Sequence, residues 1–115
     1  MNLFKNYLLL IKKSIINHSN ELGLKANTNL DNIIVENPPE KFDYDFSSNV
    51  ALILSKITKD NPRNMAEKLK NIFQMELKDF EEINIAGPGF INLKLSPRAM
   101  IKIINNIFDK KNKYG

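Results

Sequence analysis

Three residues at alternate positions, Phe90, Asn92 and Lys94, carry the most directed chemistry in the sequence. An aromatic ring, a carboxamide and a cation in line suit an unpaired nucleotide. A base stacks on the ring, the amide both donates to and accepts from a base edge, and the ammonium neutralises a phosphate. Packing also explains these residues: Phe90 then covers a helix end, Asn92 bonds to backbone and Lys94 is solvated. Gly87-Pro88-Gly89, just before them, resembles a phosphate-binding loop only in its glycines, since no Gly-Lys-Ser/Thr follows to open a helix. Turn chemistry accounts for it, with Pro presetting φ at the second position and Gly accepting a positive φ at the third.

The remaining reactive side chains assemble no catalytic set. The single histidine, His18, ends an apolar helical stripe and reads as a charged or hydrogen-bonded cap. With no cysteine and no carboxylates spaced around it, no metal site is expected. Glu81 and Glu82 are adjacent on a strand and should face opposite sides, as edge or surface charges. Ser47 and Ser48 lack a nucleophile-elbow context. The 115 residues, 43% hydrophobic and 26% charged, suit one small globular domain without disulfides. The apolar run Tyr7–Ile11 is far shorter than the roughly 20 residues a membrane span needs, and it is too short for a secretory h-region, with no small-residue cleavage site after it. The net charge of +4 is unevenly placed. Residues 1–30 carry four Lys and one Glu, and residues 94–115 carry five Lys, one Arg and one Asp. The middle, 31–93, holds seven basic against eleven acidic residues, so attraction to phosphate is local. Lys110, Lys111 and Lys113 read simply as a solvated tail.

The elements that must position these residues follow from periodicity. Phe4, Leu8, Ile11, Ile15 and His18 form one stripe of an opening helix that stops near Asn20, with Gly23 beyond. Ile33-Ile34-Val35 reads as a short buried strand before a rigid Pro38-Pro39 bend. Asp45 is expected to cap a helix with Phe46, Val50, Ile53, Leu54 and Ile57 inward. Asn61-Pro62 opens another, with Met65, Leu69, Ile72 and Phe73 inward, and Ser96-Pro97 a last one, with Ile101, Ile104, Ile107 and Phe108 inward. Between these two helices the period drops to 2. Ile83 and Ile85 alternate with Glu82 and Asn84, and after the turn Ile91, Leu93 and Leu95 alternate with Phe90, Asn92 and Lys94. The expectation is an α+β fold: a small antiparallel sheet including a C-terminal hairpin at about 80–95, packed by one face against about four helices, with the trio on the more open face.

Asp45-Phe46-Ser47-Ser48-Asn49-Val50-Ala51-Leu52, then Lys56, Asn61-Pro62-Arg63 and Ala66, and finally Ile85-Ala86-Gly87-Pro88-Gly89-Phe90-Ile91-Asn92, resemble in order and spacing the N-terminal domain of arginyl-tRNA synthetases. The resemblance covers essentially the whole chain. One position departs from it: Tyr44 stands where the family usually has Gly. The resemblance implies an appended module that holds the elbow of the arginine tRNA and contacts its D-loop. An aromatic and a polar residue two apart on the strand after the turn, here Phe90 and Asn92, would engage a D-loop nucleotide. Gly87, Gly89 and Lys94 join them as RNA-binding candidates, with Lys56, Arg63 and Lys102 as candidate phosphate contacts. The parent class I enzyme would use ATP and magnesium on a catalytic domain whose His-Ile-Gly-His-like and Lys-Met-Ser-Lys-Ser-like motifs do not occur here. The chain alone is therefore expected to be no enzyme and to need no cofactor. Residues 1–109 would form the domain and 110–115 a linker toward that absent catalytic domain, its other partner. A monomeric, cytoplasmic protein with no membrane contact is expected. The competing reading is a protein-interaction module using the open face of the 83–95 hairpin.

Overall fold

The computed structural model describes residues 2–38 and 43–113, and of 111–113 the backbone alone. The Pro39 half of the expected bend, the Lys111 and Lys113 side chains and residues 114–115 of the expected linker lie outside the described residues. The elements in chain order are α1 (Leu3–Asn17), α2 (Ser19–Leu22), β1 (Val35–Glu36), β2 (Phe46–Ser48), α3 (Val50–Thr58), α4 (Pro62–Glu76), β3 (Phe80–Ala86), β4 (Phe90–Leu95) and α5 (Pro97–Lys113). The strands form one antiparallel sheet in the order β1-β2-β4-β3, so the strand bearing Phe90 and Asn92 is central. The α+β architecture with a C-terminal hairpin is as expected.

One face of the sheet is the core. Ile83, Ile91, Leu93, Leu95 and Phe46 pack with Ile11 and Ile15 of α1, Val50 and Leu54 of α3, and Met65, Leu69 and Phe73 of α4. Each such side chain contributes about 1.5–3 kcal/mol on burial. Asn61 caps α4 through its side-chain oxygen, which accepts from the Arg63 and Asn64 amides at 2.8 and 3.4 Å, and Pro62 occupies the first turn as expected. Phe4, Tyr7, Phe46 and Phe80 form a chain of ring contacts with centroids 5.0–6.1 Å apart, which joins α1 to the sheet.

Four expectations fail, each for a physical reason. First, Asp45 caps no helix. Its amide donates to the Leu93 carbonyl at 2.9 Å and its carboxylate accepts from the Leu95 amide at 2.8 Å, so the chain there is tied to β4 at the bend that leads into β2. Phe46 still reaches the core, through strand alternation. The helix starts instead at Val50, which centres its buried stripe on Val50, Ala51 and Leu54 and leaves Ile57 exposed at the margin. Second, Ile33 and Ile34 precede the strand. The Asn49 side chain accepts from the Ile34 amide at 2.8 Å and donates to the Asn32 carbonyl at 3.1 Å, engaging backbone groups that a ladder would have used. Third, the opening helix ends at Asn17 and not near Asn20, although His18 is the hydrogen-bonded cap expected of it, its ring bonding Glu21 of α2 through Nδ1 at 3.0 Å and Glu76 of α4 through Nε2.

Fourth, α5 does not turn its apolar side inward. Ala99 is buried and Ile103 partly so, but Ile101 is 59% exposed, Phe108 61%, and Ile104 and Ile107 each 46%. The helix touches the body by its first turns only, and it continues to Lys113. The sequence pattern assigned all these residues to the core, and their exposure on α5 corrects that assignment. Replacing Ile104 and Phe108 together by Ser should therefore change the unfolding free energy by no more than roughly 0.5 kcal/mol in urea titration. A loss of the roughly 4 kcal/mol or more expected for two core truncations would show that the helix packs inward.

The His18 bridge makes stability pH-dependent. Hydrogen bonds to Glu76 and then Glu21 raise the His18 pKa above its ordinary 6.5. A pKa raised by folding adds stability that is complete below the unfolded value and drains away as pH rises through the folded one. In melting series between about pH 5.5 and 8.5, the wild type should lose its advantage over His18→Gln as pH increases. A constant gap across that range would exclude the ion pair as its source.

Candidate nucleic-acid interface

The hairpin that carries the trio is set by its turn. Ala86 pairs with Phe90, which leaves Gly87, Pro88 and Gly89 as the loop. Gly89 has the positive φ (+95°) expected of it, and Gly87 is positive as well (+54°). Gly89 is further constrained by contact, because a Cβ there would lie 2.8 Å from the Leu52 nitrogen and 2.9 Å from its Cα. The approach makes a bond: the Leu52 amide, in the first turn of α3, donates to the Gly89 carbonyl at 2.9 Å. One of the donors left orphaned at a helix N-terminus is thus satisfied by the hairpin. Ser48 Oγ accepts another, from Val50, at 3.2 Å.

Register then lines up Glu36, Ser47, Asn92 and Asn84 as a polar row across β1, β2, β4 and β3. Alternation puts this row, with Phe90 and Lys94, on the face opposite the helix-packed core. Phe90 and Lys94 are half-buried there, as an open face requires. Asn92 is not open: it is 3% exposed, and its Oδ1 is buried with no hydrogen-bond partner among the described residues. The central position of β4 contributes to the burial, since neighbours flank it on both sides. Nearly all buried polar atoms are bonded, so an orphaned carboxamide oxygen marks a place where a donor is missing.

Charge around the trio is mixed. Lys94 Nζ lies 3.8 Å from Glu81 Oε1. Glu81 and Glu82 are both exposed on the edge strand, the surface charges expected of them, while a register shift between Phe80 and Glu82 makes Glu81 a bulge residue in place of the simple alternation expected. The Tyr44 hydroxyl donates to Glu82 Oε1 at 3.1 Å. Partial desolvation, and next that hydrogen bond, raise the Tyr44 pKa and keep the hydroxyl protonated. Sequence reasoning missed this bridge, and with it the roles of Ser47 and Asn84. The signal available was the polar–apolar alternation of Asp45, Phe46 and Ser47, hidden by the helical spacing of Phe46, Val50 and Leu54.

The candidate phosphate contacts do not gather around the trio. Lys56 is exposed on α3 and Arg63 on α4, helices that pack against the apolar face, and Arg63 Nε stands 3.8 Å from Glu67. Lys102 is exposed on α5. Gly87 is exposed at the turn, while Gly89 is buried against Leu52. Among the described residues, no group of three or more His, Cys, Asp or Glu is arranged to hold a metal ion, and no helix is long and apolar enough to cross a membrane.

Comparison with known proteins gives the fold a lineage. A family model described as the arginyl tRNA synthetase N terminal domain matches residues 9–95. An arginine–tRNA ligase of Bartonella henselae is 38% identical over 117 aligned positions, covering 100% of this chain and 20% of the ligase. That of Bacillus subtilis is 30% identical over 115, covering 100% of this chain and 21% of the ligase. That of Psychrobacter cryohalolentis is 45% identical over 71, covering 62% of this chain and 12% of the ligase. The chain thus spans about a fifth of the length of the relatives that match it throughout.

The turn yields a direct test of how the hairpin is seated. Ala at Gly87 meets open space and incurs only the positive-φ cost, roughly 1–2 kcal/mol. At Gly89 the same change adds a clash with the Leu52 backbone, for roughly 2–5 kcal/mol in all. Denaturant unfolding of the two variants should rank Gly89→Ala clearly below Gly87→Ala, and equal losses would mean that the Leu52 contact does not constrain the turn.

Proposed function

Because the chain belongs to the arginyl-tRNA synthetase N-terminal domain family, we propose that it is the tRNA-binding module of a cytoplasmic arginine–tRNA ligase, with the open face of its hairpin against the D-loop at the tRNA elbow. The observation that carries this reading is the orphaned Asn92 carboxamide oxygen, two residues from Phe90 on a face that the core helices leave uncovered. A flipped-out base supplies what is missing. Its π-face stacks on Phe90, worth about 1–3 kcal/mol, and an exocyclic amine or ring N–H donates to the Asn92 oxygen. Lys94 and the turn residues Gly87 and Gly89 flank the base. Lys56, Arg63 and Lys102 meet phosphates, positioning the tRNA without reading its sequence.

The module's role is geometric. It holds the tRNA body so that the 3′ end reaches a catalytic domain on the same polypeptide, where ATP and magnesium serve the ligation. Residues 1–109 act as the module, and the segment from 110 leads toward the catalytic part. The bare apolar stripe of α5 supports this arrangement, since Ile101, Ile104, Ile107 and Phe108 offer a protein-facing surface. This reading gives the protein contact to α5 and the hairpin face to RNA.

The test is anisotropy titration of a labelled arginine tRNA transcript with the 115-residue chain at low salt. Phe90→Ala should weaken binding by roughly 5- to 150-fold, with an unchanged melting temperature. Asn92→Ala should reduce the preference for this tRNA over one of another specificity. The affinity of the wild type should fall with salt at a log–log slope of about −0.7 to −0.9 per phosphate contacted. A folded Phe90→Ala chain that binds like wild type would sink the reading, and a salt-independent interaction would return the face to a protein partner.

A further inference from the structure

Asn92 is buried on a face where no core helix packs, so something nearer must shield it. Tyr44 precedes β2 by two residues, and its neighbour Asp45 is tied to Leu93 and Leu95 of β4. Yet its hydroxyl donates to the carboxylate of Glu82, on β3, at 3.1 Å, and lies near enough to the Asn84 side chain to feel it. Glu82 lies on β3, on the far side of β4 from β2, so the Tyr44–Glu82 bridge spans the Lys94 end of β4. It does so on the open face, because Glu82 pairs with Lys94 and Asn84 with Asn92 on that side.

The geometry points to Tyr44 as a lid: latched to Glu82, it shields the Asn92 carboxamide in the free chain, and a base reaches Asn92 only when the latch opens. This rests on the base-reading role proposed for Phe90 and Asn92. Tyr44 is a gating residue, acting on the population of the open site. A ligand's apparent affinity is its intrinsic affinity reduced by the fraction of chains in the competent state. Weakening the latch therefore strengthens binding without adding a contact. Tyr44→Phe removes the latch bond while keeping the ring and the net charge. Glu82→Gln removes the charged acceptor from the other side.

Two measurements on the 115-residue chain decide it. In the free protein, solvent exchange of the Asn92 side-chain amide protons, read by NMR, should quicken by roughly two- to tenfold in Tyr44→Phe, the range of a single hydrogen bond. Titration with the arginine tRNA transcript should tighten by a similar factor. The Tyr44→Phe and Glu82→Gln effects should also be less than additive, since both break one bond. Unchanged Asn92 exchange in Tyr44→Phe overturns the lid. Faster exchange with weaker tRNA binding overturns it too, by placing the hydroxyl in the bound complex. Failure of the underlying reading looks different: Phe90→Ala then binds tRNA like wild type, while the exchange rates of the free chain still report on the latch.

Discussion

The hydrogen bond from the Leu52 amide to the Gly89 carbonyl, made possible by the bare Gly89 α-carbon, is the contact on which the candidate site depends. It seats the hairpin turn directly on the first turn of α3. Its partners are backbone atoms, so no side-chain rearrangement absorbs an error in their spacing. Once Gly89 is fixed, the Ala86–Phe90 pair starts the ladder, and Asn92 falls between Ser47 and Asn84. A one-residue slip would move Phe90 and Asn92 into the core and Ile91 and Leu93 to solvent. The apolar set of β4 and the turn thus enforce the same register from opposite ends of the strand.

The segment Asp45–Val50 serves the same end from the other side of β4. Asp45 clamps Leu93 and Leu95, Ser48 satisfies Val50, and Asn49 holds the backbone at Asn32 and Ile34. These polar residues make short bonds to main-chain atoms and leave Ser47 to face Asn92. Their identity is explained by backbone geometry, without any ligand. The family likeness in this stretch is therefore a likeness of scaffold, and the ligand-facing chemistry rests on far fewer residues, Phe90 and Asn92 above all.

How much of this was legible in the sequence depends on whether local pattern and tertiary demand coincide. At the hairpin they do: the period of 2 and the Gly-Pro-Gly turn named both strands and which side Phe90, Asn92 and Lys94 would share. At Asp45 they conflict. Phe46, Val50 and Leu54 have helical spacing, but two bonds tie Asp45 to β4, and nothing local announces a partner 50 residues away. At Glu81 a bulge defeats alternation. For α5 the pattern was right and its use wrong, because amphipathicity shows that a helix has an apolar face without saying what covers it. The burial of Asn92 was hidden for a related reason: β4 turned out to be central, and strand order is not written in any one strand.

Magnitudes connect the two surfaces. On the proposed reading, one stacked base contributes about 1–3 kcal/mol and a satisfied carboxamide about 1–3 more. Association of two macromolecules costs an estimated 4–15 kcal/mol in lost freedom. Few cations near the trio make up the difference, since Lys94 has Glu81 as a neighbour and Glu36 and Glu82 share its face. Such a site discriminates better than it holds. Its selectivity becomes effective when the tRNA is already held elsewhere, so that engaging one nucleotide is an intramolecular step at high effective concentration. That requires the module to sit at a fixed distance from the other tRNA contacts. A 17-residue helix with one edge anchored at Ala99 and its apolar stripe bare is suited to fix that distance. On this reading the exposed face of α5 and the shallow electrostatics of the hairpin are two aspects of one arrangement: a selective contact of modest strength, and a helix whose bare apolar side sets where that contact sits.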